Sequence, residues 1–283
     1  MTTTQFEIEF KSKLTSIYDD REANNITDWV FEHVTGLKKW QRRNNQNTLP
    51  DTQKNQLGQY LEELLQSKPV QYVLNEAWFY KRKYYVNESV LIPRPETEEL
   101  VEWIIQDSTA TQKNKIQIID IGTGSGCIPA SLKLELPDSL VDAIDVSDEA
   151  LLIAKKNADE LKARINFLQI NFLQNTEWLS LGKYDIIVSN PPYIPVGEKK
   201  ILSKNVVGFE PEIALFVKDN EPFIFYRQIA DFAQSHLNTD GKIYVEVHEV
   251  YANDVKKIFK TAGFTAIIKK DIYGKERMIR AEK

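Results

Sequence analysis

The sequence contains one cysteine, Cys127, among its 283 residues, which excludes a disulfide within the chain. A lone thiol is typical of proteins in a reducing compartment, so we expect a cytoplasmic location. The three histidines, His33, His236 and His248, lie far apart without ligand spacing, and no metal site is predicted. No stretch approaches the ~20 apolar residues of a transmembrane helix, and the first residues do not form a secretory signal. We therefore expect no membrane partner.

The sequence also has fewer basic than acidic residues. It contains 36 Lys and Arg and 41 Asp and Glu, which give a formal net charge of −5. This balance is not typical of a protein whose main partner is bare nucleic acid. Two local basic clusters, Lys38–Arg43 and Lys81–Lys83, are interpreted as solvated faces. Contact with an acidic or RNA-bound partner is the alternative interpretation.

The most informative stretch that is present is Asn190-Pro191-Pro192-Tyr193, which follows the apolar run 184–189. That run predicts a buried parallel strand, and two prolines must end it. Ligands bind at the carboxyl ends of such strands. These residues suit a planar NH₂ group. The Asn190 amide and the proline carbonyls, which lie on a backbone of fixed φ, can accept its hydrogen bonds, and the flat ring of Tyr193 can cover it. The alternative is a proline-rich turn without a function.

A second motif follows the β-branched run 116–121 and consists of Gly122-Thr123-Gly124-Ser125-Gly126. Strand, glycine loop and helix together predict the start of a nucleotide-binding βαβ unit. The dinucleotide pattern G-x-G-x-x-G would need glycine at position 127, where Cys127 stands. A dinucleotide oxidoreductase is therefore disfavoured. We interpret Cys127 as a small packing residue beneath the loop, with a thiol of lowered pKa as the alternative.

The strand 141–145 ends in Asp145, about twenty residues after the glycine loop. An acid at this place can accept hydrogen bonds from both hydroxyls of a ribose. The alternative is an N-cap for the helix that starts near Ser147.

These motifs resemble S-adenosylmethionine-dependent methyltransferases of amino groups, and more narrowly the PrmC/HemK family. That family methylates the glutamine side-chain nitrogen (N5) in the Gly-Gly-Gln motif of peptide chain release factors. The resemblance is closest from about residue 68 to the C-terminus. The segments that carry it are 91–98 (LIPRPETE), 120–126 (DIGTGSG), 189–194 (SNPPYI), 209–215, 225–227 and 271–277.

The resemblance implies a role for each matching residue. The backbone of 122–126 would face the methionine part of S-adenosylmethionine, and Asp145 would bind its ribose. Asn171 and Phe172, which stand where the family often has Asp-Trp, would pair with the adenine and stack on it. Asn190 and Tyr193 would be the catalytic residues, and Asn190 to Tyr193 would hold the substrate amide, with Asn190 also near the cofactor. The product would be S-adenosylhomocysteine.

The chain departs from the family pattern in two further places. Glycines that usually follow Leu215 are replaced by residues 216–222, and His248 stands where the family has the glycine of Glu-Ile-Gly. These departures concern loop geometry rather than the reacting groups.

Apolar spacing predicts a helical bundle over residues 1–75, expected to recognise the substrate, and a β-hairpin linker over 76–95. Residues 96–283 alternate strands and helices and predict a seven-strand, Rossmann-like methyltransferase domain. The last two strands, joined through Tyr273-Gly274, are expected to be antiparallel. A long loop is predicted from residue 194 to about 221.

The main alternative function is that of an adenine-N6 nucleic-acid methyltransferase, because Asn-Pro-Pro-Tyr also serves amino groups on bases. The acidic charge and the lack of a strongly basic domain count against it, so no direct nucleic-acid requirement is expected. A silent adaptor that binds cofactor without transfer is a further alternative. The intact Asn190 and Tyr193 count against that one.

Overall fold

This computed structural model describes residues 2–43, 48–110, 113 and 115–283. The chain divides into two compact units. The first comprises Met1–Glu76 with Ser203–Phe209, and the second comprises Ala77–Leu202 with Glu210–Lys283.

The first unit is helical. Its first five helices are α1 (Thr3–Leu14), α2 (Asp20–Thr35), α3 (Lys39–Arg43), α4 (Asp51–Leu65) and α5 (Val70–Leu74). Helix α2 begins where the Asp19 carboxylate accepts a hydrogen bond from the Glu22 amide, and it ends at Gly36 in the left-handed conformation. The helices pack around a core that includes Phe10, Leu14, Val30, Leu57 and Leu64. Ile17 lies beyond the end of α1 and is 44% exposed.

The solvated face that was predicted for Lys38–Arg43 is wrong at Arg42. The Arg42 side chain is fully buried and forms ion pairs with Glu7 at 3.0 Å and Asp28 at 2.8 Å. A buried guanidinium needs such partners to offset the loss of hydration. The basic cluster therefore contains a buried, ion-paired arginine as well as exposed basic residues.

The second unit begins with the predicted hairpin, formed by β1 (Ala77–Phe79) and β2 (Arg82–Tyr84). Tyr80 and Lys81 make the turn with φ of 46° and 65°. The other strands in the described part of the chain are β3 (Gln117–Ile121), β4 (Leu140–Asp145), β5 (Asn166–Gln169), β6 (Tyr184–Ser189), β7 (Ile194–Pro195), β8 (Phe216–Val217), β9 (Leu237–Glu246), β10 (Thr265–Lys270) and β11 (Glu276–Glu282). The remaining helices are α6 (Pro95–Thr109), α7 (Cys127–Glu135), α8 (Asp148–Leu161), α9 (Lys204–Phe209) in the first unit, α10 (Glu212–Leu215), α11 (Ile224–His236) and α12 (Ala252–Thr261).

Seven of these strands form one sheet in the order β10-β11-β9-β6-β3-β4-β5. Strands β3, β4, β5, β6 and β9 run parallel, and β11 is antiparallel to both β9 and β10. The predicted mixed α/β fold is thus confirmed. The sequence order reverses at β3, and in open α/β sheets ligands bind at such a switch point.

Two apolar layers cover the sheet. Ile119 and Ile187 pack on one face with residues of α11 and α12, while Ile118 and Ile186 pack on the other with residues of α6 and α7. Consecutive residues of a strand point to opposite faces, so a strand buried on both sides must be apolar throughout. The β-branched runs have this composition.

The prediction of a long loop over residues 194–221 is wrong. This segment contains β7, β8, α9, α10 and a 3₁₀ helix over Val196–Ile201. These elements span only two to six residues, too few for a periodic pattern to appear.

Among the residues that the structure describes, no helix has both the length and the apolar character needed to cross a bilayer.

Candidate active site

The carboxyl ends of β3, β4 and β6 border a cavity of about 340 Å³ in the second unit. A cavity of this size fits a small organic molecule. The predicted binding residues that line it are Gly122, Thr123, Gly124, Ser125, Asp145, Asn171, Phe172, Asn190, Pro191 and Pro192. Gly126 and Tyr193 lie outside this lining. Motifs separated by up to seventy residues in the sequence thus share one cavity.

The glycine loop between β3 and α7 is fixed to the neighbouring strand by its backbone. The amides of Gly122 and Thr123 both donate to the Ile144 carbonyl, at 2.9 and 3.0 Å. Gly122 and Gly124 have φ of 74° and 52°, a region that glycine adopts without steric cost. The loop can therefore turn sharply and bring its backbone to the cavity.

Helix α8 supports this loop from behind. A Cβ at Gly126 would lie 2.9 Å from the Ala154 Cβ, closer than side chains can pack. The buried amide of Asn157 donates to the backbone carbonyls of Ser125 and Tyr85, both at 2.9 Å. Close packing and hydrogen bonding together hold the loop in one conformation.

Asp145 ends β4, and its carboxylate accepts hydrogen bonds from two backbone amides. The donors are Gly124, at 2.9 Å, and Ser147, at 3.0 Å. The N-cap of α8 is Ser147, whose hydroxyl accepts from the Ala150 amide, so the N-cap alternative for Asp145 is wrong. The pKa of Asp145 is raised, because the effect of burial outweighs the lowering by the hydrogen bonds from Ser147 and Gly124. The carboxylate oxygens retain lone pairs for a ligand at the cavity wall.

Asp120 is a buried acid that was not among the predicted site residues. Within the described part of the chain, neither of its carboxylate oxygens has a hydrogen-bond partner, and neither has the Thr123 hydroxyl. Burial raises the pKa of Asp120 to about 7; the nearby Thr123 hydroxyl lowers it and the charge of Asp145 raises it. Buried polar groups without partners are rare and cost stability, and they are typical of functional sites. The position of Asp120 on β3, beside the glycine loop, is the sequence signal that could have identified it.

Asn171 and Phe172 follow β5. The Asn171 side-chain oxygen accepts from the Leu173 amide at 3.2 Å and so forms a local turn. The Phe172 ring is 5% exposed and stacks on Trp178 with ring centroids 5.2 Å apart. Both residues line the cavity, and their roles toward an adenine stay predictions.

The tetrapeptide begins directly after β6. The Ser189 hydroxyl donates to the Ile121 carbonyl at 2.7 Å and so ties the ends of β6 and β3 together. The Asn190 side-chain nitrogen donates to the Thr97 hydroxyl at 3.1 Å, and no described residue donates to the Asn190 side-chain oxygen. The asparagine therefore offers its oxygen as an acceptor.

A buried carboxylate, Glu246, lies at the end of β9 behind the tetrapeptide. It accepts from the Thr97 hydroxyl at 2.5 Å and from the Tyr193 hydroxyl at 3.2 Å. The pKa of Glu246 is raised, because the effect of burial outweighs the lowering by the Thr97 hydrogen bond and by the charge of Arg277. Burial, followed by the charge of Glu246, raises the pKa of Tyr193, so the phenol is neutral. The sequence alone predicts no role for Thr97 or Glu246.

Arg94 and Glu210 connect two segments at the rim of the cavity. The guanidinium donates to one Glu210 oxygen at 2.6 Å, and the Ile92 amide donates to the other at 3.3 Å. Glu210 is 4% exposed. The pair fixes the start of the segment whose Pro211, Ile213 and Ala214 line the cavity.

The two departures from the family pattern have structural counterparts. Phe216 and Val217 form β8, which pairs in parallel with Ile194 and Pro195 of β7. The His248 side chain accepts from the Val250 amide and caps the 3₁₀ helix Glu249–Tyr251. Both replacements are thus accommodated outside the glycine loop.

Cys127 is 7% exposed at the start of α7. Burial raises the pKa of its thiol to about 12, so the alternative of a lowered pKa is wrong. Among the described residues, no three His, Cys, Asp or Glu side chains lie close enough together to hold a metal ion.

Comparison with known families gives two matches that together extend over both units. The PrmC N-terminal domain matches residues 8–74, and the methyltransferase small domain matches residues 102–207. A release factor glutamine methyltransferase of Flavobacterium psychrophilum is 42% identical over 283 residues, which are 99% of each chain. The chain belongs to the release factor glutamine methyltransferase family.

Solved structures share the fold of this release factor glutamine methyltransferase family member at low identity. A methyltransferase from Pyrococcus furiosus has a TM-score of 0.51 and 18% identity, over 70% of this chain and 87% of that one. The 16S rRNA N2 G1207 methyltransferase of T. thermophilus, in complex with AdoMet and guanosine, has a TM-score of 0.50 and 16% identity, over 74% of this chain and 49% of that one. These likenesses support the Rossmann-like methyltransferase fold.

Proposed function

We propose that this protein transfers a methyl group from S-adenosylmethionine to the side-chain amide nitrogen of the glutamine in the Gly-Gly-Gln motif of peptide chain release factors. One observation carries the substrate chemistry. The Asn190 side-chain nitrogen donates to the Thr97 hydroxyl, so the side-chain oxygen is left to accept, and the Pro191 carbonyl would be the second acceptor. Two acceptors from adjacent residues fit an NH₂ group, which has two hydrogens to donate.

The size and the polar lining of the cavity support S-adenosylmethionine as the cofactor. The glycine-loop backbone suits the methionine part, and the Thr123 hydroxyl, which lacks a partner within the described chain, is available to it. The Asp145 carboxylate at the wall suits the ribose hydroxyls, and Asn171 with Phe172 would flank the adenine. When bound, the cofactor supplies a methyl group on a positively charged sulfur.

An amide nitrogen is a poor nucleophile because its lone pair is delocalised into the carbonyl. Hydrogen bonds from the substrate NH₂ to the Asn190 oxygen and the Pro191 carbonyl would orient this nitrogen and stabilise the positive charge that develops on it. Orientation of the reactants can lower the barrier by ~7–11 kcal/mol. Tyr193, fixed by Glu246, would hold the plane of the amide. Methyl transfer would form the N–C bond as the C–S bond of the cofactor breaks, and the amide nitrogen would release its proton to water, since no general base is assigned.

The first unit is proposed to recognise the release factor. It is built from separate helices with its own core, and it matches the PrmC N-terminal domain. It exposes Trp40 (67%) and Ile8 (65%), and such aromatic and aliphatic groups commonly anchor protein interfaces. We propose that the reaction takes place in the cytoplasm, where release factors act. The formal net charge of −5 supports a reaction that has no direct requirement for nucleic acid.

The test is incubation with labelled S-adenosylmethionine and a nuclease-treated release factor, beside a variant whose motif glutamine is replaced by Ala. Label is expected on the intact factor alone. Label on both proteins, or on neither, contradicts the proposal. Transfer to adenine in added DNA or RNA, with no label on the factor, would favour the alternative function.

A further inference from the structure

A continuous hydrogen-bonded chain connects a buried acid to the tetrapeptide. Glu246 accepts from the Thr97 hydroxyl at 2.5 Å, and that hydroxyl accepts from the Asn190 side-chain nitrogen at 3.1 Å. Thr97 and Glu246 are each 2% exposed. Their positions in the sequence are separated by 149 residues, so α6 and β9 must pack correctly for the chain to form.

The donor and acceptor in each of these hydrogen bonds follow from the number of protons on each group. A threonine hydroxyl has one hydrogen, and an ionised carboxylate can only accept. The Thr97 hydrogen is therefore used toward Glu246, and its oxygen can only accept from Asn190. An asparagine amide that is rotated by 180° would place its oxygen against the Thr97 oxygen, where two acceptors would face each other.

We propose that Thr97 and Glu246 are positioning residues that fix the rotation of the Asn190 amide, so that its oxygen faces the substrate NH₂. This inference rests on the proposed function, because it assigns these residues to the same transfer step. A second arm from Glu246 to the Tyr193 hydroxyl, at 3.2 Å, holds the aromatic member of the tetrapeptide. One buried carboxylate thus orients both side chains that are proposed to contact the substrate amide.

A purely structural role for Thr97 makes different predictions. Thr97 lies in the first turn of α6 and is packed in the interior, so its replacement could lower stability. Such a loss would reduce the amount of folded enzyme. It would not reduce the turnover of each folded molecule, nor depend on the presence of Asn190.

The experiment compares Thr97→Val, which keeps the shape and removes the hydroxyl, with Thr97→Ser, which keeps the hydroxyl. Ser108→Ala is the matched control, because it removes another buried hydroxyl from the same helix. Folded fractions, S-adenosylmethionine affinity, kcat and KM for the release factor are measured. We expect Thr97→Val to lower kcat ~10-fold or more, as is typical when a support of a reacting group is lost. Cofactor affinity and the two other variants should stay near wild type.

A double-mutant cycle decides whether Thr97 acts through Asn190. In an Asn190→Ala background, Thr97→Val should lower kcat no further. Independent, multiplicative losses would overturn the inference, and so would a kcat of Thr97→Val equal to that of wild type. Failure of the wild-type enzyme to label the factor would instead contradict the proposed function, so the two failures are distinguishable.

Discussion

The Asp145 carboxylate accepts a hydrogen bond from the Gly124 amide at 2.9 Å. This contact joins the end of β4 to the centre of the glycine loop, so the acid that is proposed to bind a ribose also shapes the loop proposed to bind the methionine part. Removal of the acid should therefore affect both functions at once.

We expect Asp145→Ala to weaken S-adenosylmethionine binding by ~10-fold or more, since hydrogen bonds to a charged group contribute ~1.5–3 kcal/mol. Calorimetric titration measures the affinity, and Asp142→Ala on the same strand is the control. An unchanged dissociation constant would rule out the ribose role.

Asn190→Ala should lower kcat by ~10²–10³, the usual cost of one well-placed electrostatic contact in a transition state. Loss of cofactor affinity should be smaller than loss of turnover. Asn190→Asp keeps an acceptor and should retain partial activity. Asn166→Ala, on β5 and away from the tetrapeptide, serves as the control. Wild-type turnover by Asn190→Ala at saturating substrate would remove the tetrapeptide from the mechanism.

Asp120 should make stability depend on pH. Burial raises its pKa to about 7, so the folded chain holds a proton that the unfolded chain releases, and stability falls as pH rises from ~4 to ~7. Asp120→Asn should therefore raise the melting temperature at pH 8, by an amount that corresponds to at most ~4 kcal/mol. The gain should shrink at pH 5, where wild-type Asp120 is largely protonated.

The control for this effect is Asp185. Its partial burial raises the pKa, but hydrogen bonds from the Gln117 amide and Lys113 outweigh burial and lower it. The sign is therefore reversed, and Asp185→Asn should lower the melting temperature at pH 8. A lower melting temperature for Asp120→Asn at that pH would contradict the account of Asp120.

Trp40→Ala should raise KM for the release factor several-fold, because large exposed aromatic residues commonly carry interface energy. Cofactor affinity and melting temperature should not change, since the side chain is 67% exposed. Trp78→Ala, which removes a 58% exposed tryptophan from the hairpin, is the matched control. Equal KM values for the two variants would place the recognition surface elsewhere.

The parallel strands could be predicted because burial on both faces forces an apolar composition that is visible in short windows of sequence. The glycine loop, Asp145 and Asn190 could be placed at one edge by topology alone, since each follows a predicted strand. Local patterns explain this part of the site.

The rest of the site depends on contacts between distant segments. Thr97 and Glu246 become partners only when α6 packs against β9. The stacking of Phe172 on Trp178 depends on a 3₁₀ helix, Asn175–Ser180, that follows β5. Arg42 resembles a surface residue within its basic run, and only its contacts with Glu7 and Asp28 identify it as buried. The strands and helices within residues 194–221 are too short to show the periodic spacing of apolar residues by which secondary structure is predicted from sequence.

The 2.9 Å approach between the Ala154 Cβ and the position that a Cβ would occupy at Gly126 has a consequence for variation in this chain. The same Cβ would also lie 3.0 Å from the Ala154 Cα and 3.3 Å from its carbonyl oxygen. Ala154→Gly would therefore not make room for a side chain at position 126, and the φ of 76° at Gly126 disfavours any other residue there. Libraries that randomise the loop should keep glycine at position 126, and variants that replace it should be recovered as unfolded or inactive whatever residue stands at position 154.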